Sequence, residues 1–242
     1  MNSLGFDKKE SDTKVIVAMS GGVDSSVAAV KLKKEGYDVT GVTLRLYNQV
    51  NTSKSKSCCA GIDINDAKKV AKQYNFSHLV LDYQEKFYDG VISNFIDSYA
   101  NGETPVPCIQ CNQTVKFTDL LEESKKLNAD ALVTGHYAIR RGGLKGSKLF
   151  KAKDTSKDQS YFLFATLQDQ LDYVRFPLGE YLKTEIRQMA EEFKLTVSDK
   201  PDSQDICFVT SDSYRDLINK IQPDINIEGN IFDVNGNKIG TH

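Results

Sequence analysis

The feature that most restricts the fold is a glycine turn with a strand pattern before it and a helix pattern after it. Residues 14–19 (KVIVAM) form a short β-branched run of the kind buried on both faces of a sheet. Ser20-Gly21-Gly22-Val23-Asp24-Ser25-Ser26 follows directly. Residues 24–35 then read as a helix with Val27, Ala28, Val30 and Leu32 on its apolar stripe and Gly36 closing it. A strand that turns through two glycines into a helix opens a βαβ unit, and such units build parallel sheets.

The alternation continues. Residues 39–46 and 78–81 read as strands, with a helix over 65–74 between them. Phe87, Val91, Ile92, Phe95, Ile96 and Tyr99 recur at helical spacing up to Gly102. Residues 104–111 (TPVPCIQC) read as a proline-stiffened loop, 115–127 as a helix and 131–134 as a fourth strand. The expected fold class is α/β, a doubly wound parallel sheet over 14–210 after a polar tail over 1–13. Further on, 159–167 and 182–193 read as helices, with the aromatics Tyr161 and Phe164 as core packing. Residues 198–204 form a polar loop and 206–209 a short strand. The last stretch, NIFDVNGNKIGTH, carries an Asn-Gly hairpin signal. A lone hairpin buries no core, so 211–242 are expected to begin a further, β-rich domain that the chain does not complete.

Composition narrows the function. The chain has 242 residues, 40% hydrophobic and 26% charged, which is globular and excludes a disordered or disulfide-stapled scaffold. The net charge is −2, so no overall positive field draws the protein to nucleic acid. A local patch would have to do so, and residues 139–153 offer one: a hairpin pattern around Gly142-Gly143 with six basic residues and no acidic ones. No apolar run near the start spans a bilayer, and residues 1–14 lack the apolar core of a signal peptide. The expectation is a soluble, cytoplasmic protein without a membrane partner.

The glycine turn is an anion site in waiting. Its glycines let a ligand approach the backbone, the start of the helix presents unpaired N–H groups, and Ser20, Ser25 and Ser26 add hydroxyls. Asp24 would repel phosphate, and makes sense with Mg²⁺ between the two. No Gly-Lys-Ser/Thr follows and Gly-x-Gly-x-x-Gly is absent, so neither common nucleotide loop is present. Without a lysine for terminal phosphates, the turn suits a pyrophosphate leaving group. The plainer alternative is a serine-capped helix.

Five cysteines are present: Cys58, Cys59, Cys108, Cys111 and Cys207. The odd count, without a secretion signal, argues against a disulfide framework. Cys58-Cys59 read as reduced loop thiols and His78 as structural. Cys108 and Cys111 form a C-x-x-C pair, with Cys111 just ahead of a helix expected near Asn112, where the dipole would favour a thiolate.

The glycine turn resembles the pyrophosphate loop of the N-type ATP pyrophosphatases, which adenylate a carbonyl oxygen. The strings AMSGGVDSSVAA, TPVPCIQCNQTVKF, VTGHY, KDQSYFLF and DSQDICF occur in one order. Together they resemble the tRNA-specific 2-thiouridylases over about residues 14–242. The resemblance implies replacement of the C2 oxygen of the tRNA wobble uridine by sulfur, with ATP and Mg²⁺, tRNA as partner and an upstream sulfur donor or relay protein.

By that resemblance, Ala18, Met19, Ser20, Gly21, Gly22, Val23, Asp24 and Ser25 hold ATP phosphates, and Leu44 and Gly135 line the nucleotide site. Cys207 carries a persulfide and Cys111 resolves it as a disulfide. Val106, Pro107 and Cys108 meet the target base, and His136, Lys157, Asp158 and Gln159 contact tRNA. One departure stands out: many members have Asn-Pro-Asp where this chain has Val106-Pro107-Cys108. The lost carboxylate puts an acid–base role there in doubt. The gained thiol makes Cys108, Cys111 and Cys207 a candidate ligand set for a [4Fe–4S] cluster, an arrangement found in a subset of the family. Two competing readings are a small-molecule ligating or amidating ATP pyrophosphatase and a non-catalytic tRNA-binding module.

Overall fold

Alternation along each strand decides the architecture. In β1 (Lys14–Ala18), Val15 and Val17 face one side and Ile16 the other, and all three are fully buried. A strand buried on both faces needs helices above and below, and that is what forms. The computed structural model describes residues 1–47, 61–202, 206–209, 213–223 and 228–241. Cys58, Cys59 and His242 lie outside the described residues.

β1 pairs in parallel with β2 (Asp38–Arg45), and β2 with β3 (Ser77–Asp82). The crossovers are α1 (Val23–Glu35) and α2 (Gly61–Gln73). Gly36, in the left-handed conformation, ends α1 as expected. The chain then crosses the sheet by two long helices. The first runs from α3 (Gln84–Phe87) through a π-wound turn (Tyr88–Ile92) into α4 (Ser93–Ala100). The second runs from α5 (Pro107–Cys111) through a π-wound stretch (Asn112–Leu120) into α6 (Leu121–Lys126). It leads into β4 (Ala131–Val133), which pairs with β1 on the side away from β2.

The sheet order is therefore β3-β2-β1-β4, extended at its edge by the two-residue β7 (Val174–Arg175). Between β4 and β7 lie the antiparallel hairpin β5 (Ala138–Arg141) and β6 (Lys148–Lys151), and α7 (Gln168–Tyr173). α8 (Lys183–Glu192) packs against α1, and α9 (Tyr214–Ile221) follows. One apolar cluster joins α1, α2 and α8 to Val15, Val17 and Val133. The other joins the two long helices to Ile16, Val42, Leu44 and Leu132. The doubly wound parallel sheet is as the sequence predicts, and so are the basic hairpin and the terminal one, β8 (Asn230–Phe232) with β9 (Lys238–Thr241).

Several local expectations are corrected. Residues 107–111 are helix rather than loop, because Pro107 takes the first helical position, where its missing N–H costs nothing. Cys111 thus lies inside a continuous helix, and the residue in its first turn is Cys108. Residues 206–209 form a turn, closed by Val209 N–H to the Ile206 carbonyl (3.1 Å), rather than a strand. Of 159–167 only a 3₁₀ turn, Ser160–Leu163, is helical. Leu163 alone of that aromatic stretch is fully buried, while Tyr161 and Phe164 are 63% and 68% exposed rather than core.

Candidate active site

The strand order reverses between β1 and β4, and the crevice at their carboxyl ends is where open α/β sheets bind ligands. The glycine turn leaves β1 there, and Thr134-Gly135-His136-Tyr137 leaves β4 beside it.

Gly21 sits at φ +75°, and a Cβ on it would come 2.7 Å from the Asp63 carbonyl carbon and Cα on α2. Gly135 is as crowded: a Cβ would meet the Ser25 nitrogen at 2.9 Å. These positions hold glycine because backbones meet there. No side chain caps α1, whose N-cap is Gly22, so its first N–H groups stay open to an anion. Two of the serine hydroxyls also brace the turn. Ser25 Oγ accepts from the Ser20 N–H (3.1 Å), and Ser26 Oγ donates to the Gly22 carbonyl (2.8 Å).

The turn lacks a lysine in sequence but not in space. Lys183, at the start of α8, places its ammonium 2.6 and 2.8 Å from the two Asp24 carboxylate oxygens. Tyr137 donates its hydroxyl to Asp24 Oδ1 (2.8 Å), and its burial, then the Asp24 charge, push that phenol up. Lys183 also reaches Asp202 (3.0 Å), which Arg187 (2.7 Å) and Lys157 (3.0 Å) join. Burial would raise the Asp202 carboxyl, but hydrogen bonds from Lys157 and Lys183 prevail and bring it down to about 2. On the far side of the turn, Lys200 donates to the Gly21 carbonyl (3.0 Å), to Asp66 (3.1 Å) and to Asp63. Sequence reading passed over Lys183, Tyr137, Asp202, Arg187, Lys200 and Asp63. Tyr137 and Asp202 carried a signal, as the end of VTGHY and the start of DSQDICF; the rest are joined to the turn by folding alone.

The other expected site residues fall in three places. Ala18, Met19 and Val23 flank the turn, and Met19 N–H extends the ladder to the Val42 carbonyl (2.8 Å). Leu44 is buried further along β2 in the apolar cluster that holds Cys111. His136 packs edge-on against Phe117 and Phe176 with Nδ1 2.8 Å from Thr134 Oγ1. Burial, then the Lys116 charge, push its imidazole down to about 3, so it is neutral near pH 7.

Asp158 accepts the Ala152 N–H (2.7 Å) and the Ser160 hydroxyl (2.7 Å), and Gln159 accepts the Tyr137 N–H (2.9 Å). Both brace the backbone, whereas the Lys157 side chain is exposed, with its ammonium paired to Asp202. Val106 and Cys108 are exposed, and Pro107 is buried.

Cys111 is buried in the apolar cluster on one face of the sheet, and Cys207 packs against that same cluster. Phe208, next to Cys207, meets Phe87 and Phe95 edge-on, and Tyr47 donates to the Cys207 carbonyl (2.7 Å). Asn112, next to Cys111, donates to the Phe162 carbonyl (3.0 Å) and so ties that helix to the turn after Gln159.

Mg²⁺ takes one or two carboxylates and fills its shell with phosphate oxygens and water; Asp24 is of the right type, and both its oxygens are engaged here by Lys183 and Tyr137, which the ion would have to displace. An iron–sulfur cluster fits less well. Among the described residues no group of three or more His, Cys, Asp or Glu side chains is disposed to hold a metal ion, so Cys108, Cys111 and Cys207 form no ligand set as they stand. Nor is any described helix long and apolar enough to cross a membrane.

The chain is 53% identical over 243 residues to a tRNA-specific 2-thiouridylase MnmA of Rhodospirillum centenum, covering 100% of this chain and 62% of that protein. It is also 53% identical over 244 residues to the protein of that name from Paracoccus denitrificans, covering 100% of this chain and 63% of that protein. The chain therefore spans less than two thirds of the length of these curated relatives. Among solved structures, a 4-thiouridine synthetase–RNA complex with bound ATP shares the fold. Its TM-score is 0.54 at 18% identity, over 88% of this chain and 51% of that one. Residues 13–211 match the tRNA methyl transferase HUP domain, and by that match the chain belongs to that family.

Proposed function

We propose that this chain is the catalytic part of an ATP-dependent tRNA 2-thiouridylase acting on the wobble uridine. The names of its relatives supply the substrate class, and the switch-point crevice suits a nucleotide. The observation that carries the reading is the position of two thiols far apart in sequence: Cys111 and Cys207 pack on one apolar cluster, which also includes Leu44 on the strand beside the glycine turn.

The chemistry runs in two stages. The uridine C2 oxygen bonds to the α-phosphorus of ATP, and pyrophosphate leaves. Uncapped N–H groups at Val23–Ser25, with Lys183 and Lys200 on either side of the turn, are suited to hold that diphosphate. Asp24 would hold Mg²⁺, which when bound offsets phosphate charge. In the second stage the outer sulfur of a Cys207 persulfide bonds to C2, and AMP departs with the former carbonyl oxygen. The Cys111 thiolate then bonds to the inner sulfur, and its S–S bond to the transferred sulfur breaks. Thiouridine and a Cys111–Cys207 disulfide result. A dithiol reductant restores both thiols, and a protein persulfide reloads Cys207. No step is assigned to a cluster.

The test is mass spectrometry of tRNA after incubation with ATP, Mg²⁺ and a persulfide donor, with pyrophosphate release measured in parallel. Cys111→Ser and Cys207→Ser should abolish thiolation while tRNA-dependent pyrophosphate release persists. Full thiolation by both variants would overturn the assignment. Release driven by a small carboxylic acid without tRNA would mark a ligase instead.

A further inference from the structure

Away from the switch point, two arginines share a surface cleft in a way the proposed chemistry does not use. Arg140 lies on β5 of the basic hairpin and Arg175 ends the edge strand β7. Their guanidinium groups converge on the carboxyl end of α7. Arg140 donates to the carbonyls of Leu171 (3.2 Å) and Asp172 (3.1 Å). Arg175 donates to those of Asp172 (2.8 Å), Val174 (2.8 Å) and Leu4 (2.8 Å).

Capping a helix end explains one cation, not two on the same carbonyl. Neither guanidinium has a carboxylate within ion-pair distance among the described residues. The nearby Asp172 carboxylate serves the Ser147 N–H (2.8 Å) and Gln168 (3.2 Å). Arg175 is nevertheless buried, at 7% exposure, against the Phe6 ring. Burial, then the Arg140 charge, pull its guanidinium down to about 10, and the Asp172 carboxylate, the one charge acting the other way on both arginines, offsets this only in part.

Arginine has five N–H donors in a planar fork, and here Nη1 of Arg140 and Nη2 of Arg175 make no hydrogen bond within the described protein. Both residues line a cleft of about 200 Å³ whose other walls are residues 3–5, Gly142 and residues 176–177, with no acidic side chain. Gly142 also begins the loop of the hairpin that presents Arg141, Lys145, Lys148 and Lys151.

We propose that this cleft is a phosphate site, seating one backbone phosphate of the RNA substrate between Arg140 and Arg175. The oxyanion adds a second negative charge beside Asp172, matching the two cations, and takes the remaining fork donors. The lysines of the hairpin continue the track for neighbouring phosphates. The RNA source rests on the function proposed above; the phosphate chemistry rests on the cleft alone.

The test compares the 242-residue chain with its Arg140→Gln and Arg140→Lys variants, Arg140 being the more exposed partner. Inorganic phosphate is titrated by thermal shift, and tRNA binding is followed against salt. The glycine turn is intact in all three proteins, so differences report the cleft. Phosphate should raise the melting temperature of the parent more than that of either variant, the lysine variant lying between. Arg140→Gln should weaken tRNA binding and reduce the slope of log K against log salt by about 0.9, one phosphate contact. Equal phosphate stabilisation in parent and variants would overturn the site. A phosphate difference with an unchanged tRNA slope would overturn its assignment to RNA. A parent chain that binds no tRNA would count against the proposed function while leaving the phosphate comparison readable.

Discussion

Replacing Gly21 with alanine should cost far more than replacing its neighbour Gly22. Gly21 sits at φ +75°, where a residue with a Cβ costs roughly 1–2 kcal/mol. Its Cβ would also stand 2.7 Å from two backbone atoms of Asp63, and overpacking of that kind costs about 1–3 kcal/mol. Asp63 cannot swing aside as a flexible side chain would, because the clash is with main chain in the first turn of α2. The two effects together give about 2–5 kcal/mol, or roughly 4–20 °C in melting temperature for a domain of this size. Gly22 has φ −89°, and a Cβ there meets only Ser20 Oγ at 3.4 Å. Its replacement should stay within about 1 kcal/mol, the usual scale of an N-cap exchange. Urea unfolding of both variants beside the parent measures the difference. If Gly21→Ala unfolds within 1 kcal/mol of the parent, or Gly22→Ala falls as far, the backbone contact does not hold the turn.

Three further outcomes are expected. Lys183→Met should weaken ATP binding at least tenfold by calorimetry, because it removes an ammonium that neutralises Asp24 and Asp202 beside the open end of α1; unchanged affinity would separate Lys183 from the nucleotide. Asp202 has its carboxyl lowered to about 2 from 3.8, so its stabilising contribution is complete above about pH 4 and lost as pH falls toward 2. Asp202→Asn should therefore flatten the dependence of the urea midpoint on pH in that window, and a parallel curve would discount the network. Neutralising Lys145, Lys148 and Lys151 together should lower the salt slope of tRNA binding by up to about 2.7, against no change if the hairpin is merely solvated.

The sheet was legible because its signals are local. β-branched runs, the apolar stripe of α1 and the closing Gly36 each act within a few residues. The glycine turn was legible for the same reason. Lys183 and Lys200 were not, since nothing in their neighbourhoods tells a surface lysine from one folded onto residues 159 and 179 positions away. Two corrections have definite causes. The loop expected at 104–111 ignored that proline at the first helical position starts a helix rather than stopping one. Tyr161 and Phe164 were expected in the core because aromatics usually are, but only Leu163 of that turn faces inward. The basic hairpin could be read, whereas its Arg140 converging with Arg175 could not, since β7 is two residues long and has no periodicity to detect.

The bond between Lys183 and Asp202 acts as a leash on Cys207. Cys207 lies five chain steps beyond Asp202, and a fully stretched chain of that length reaches no more than about 18 Å. While Asp202 stays moored, Cys207 is confined to a sphere of that radius around it, whatever path the intervening residues take. On the function proposed above, a donor protein loading that thiol would have to approach within that reach of Asp202, because the thiol cannot travel far to meet it.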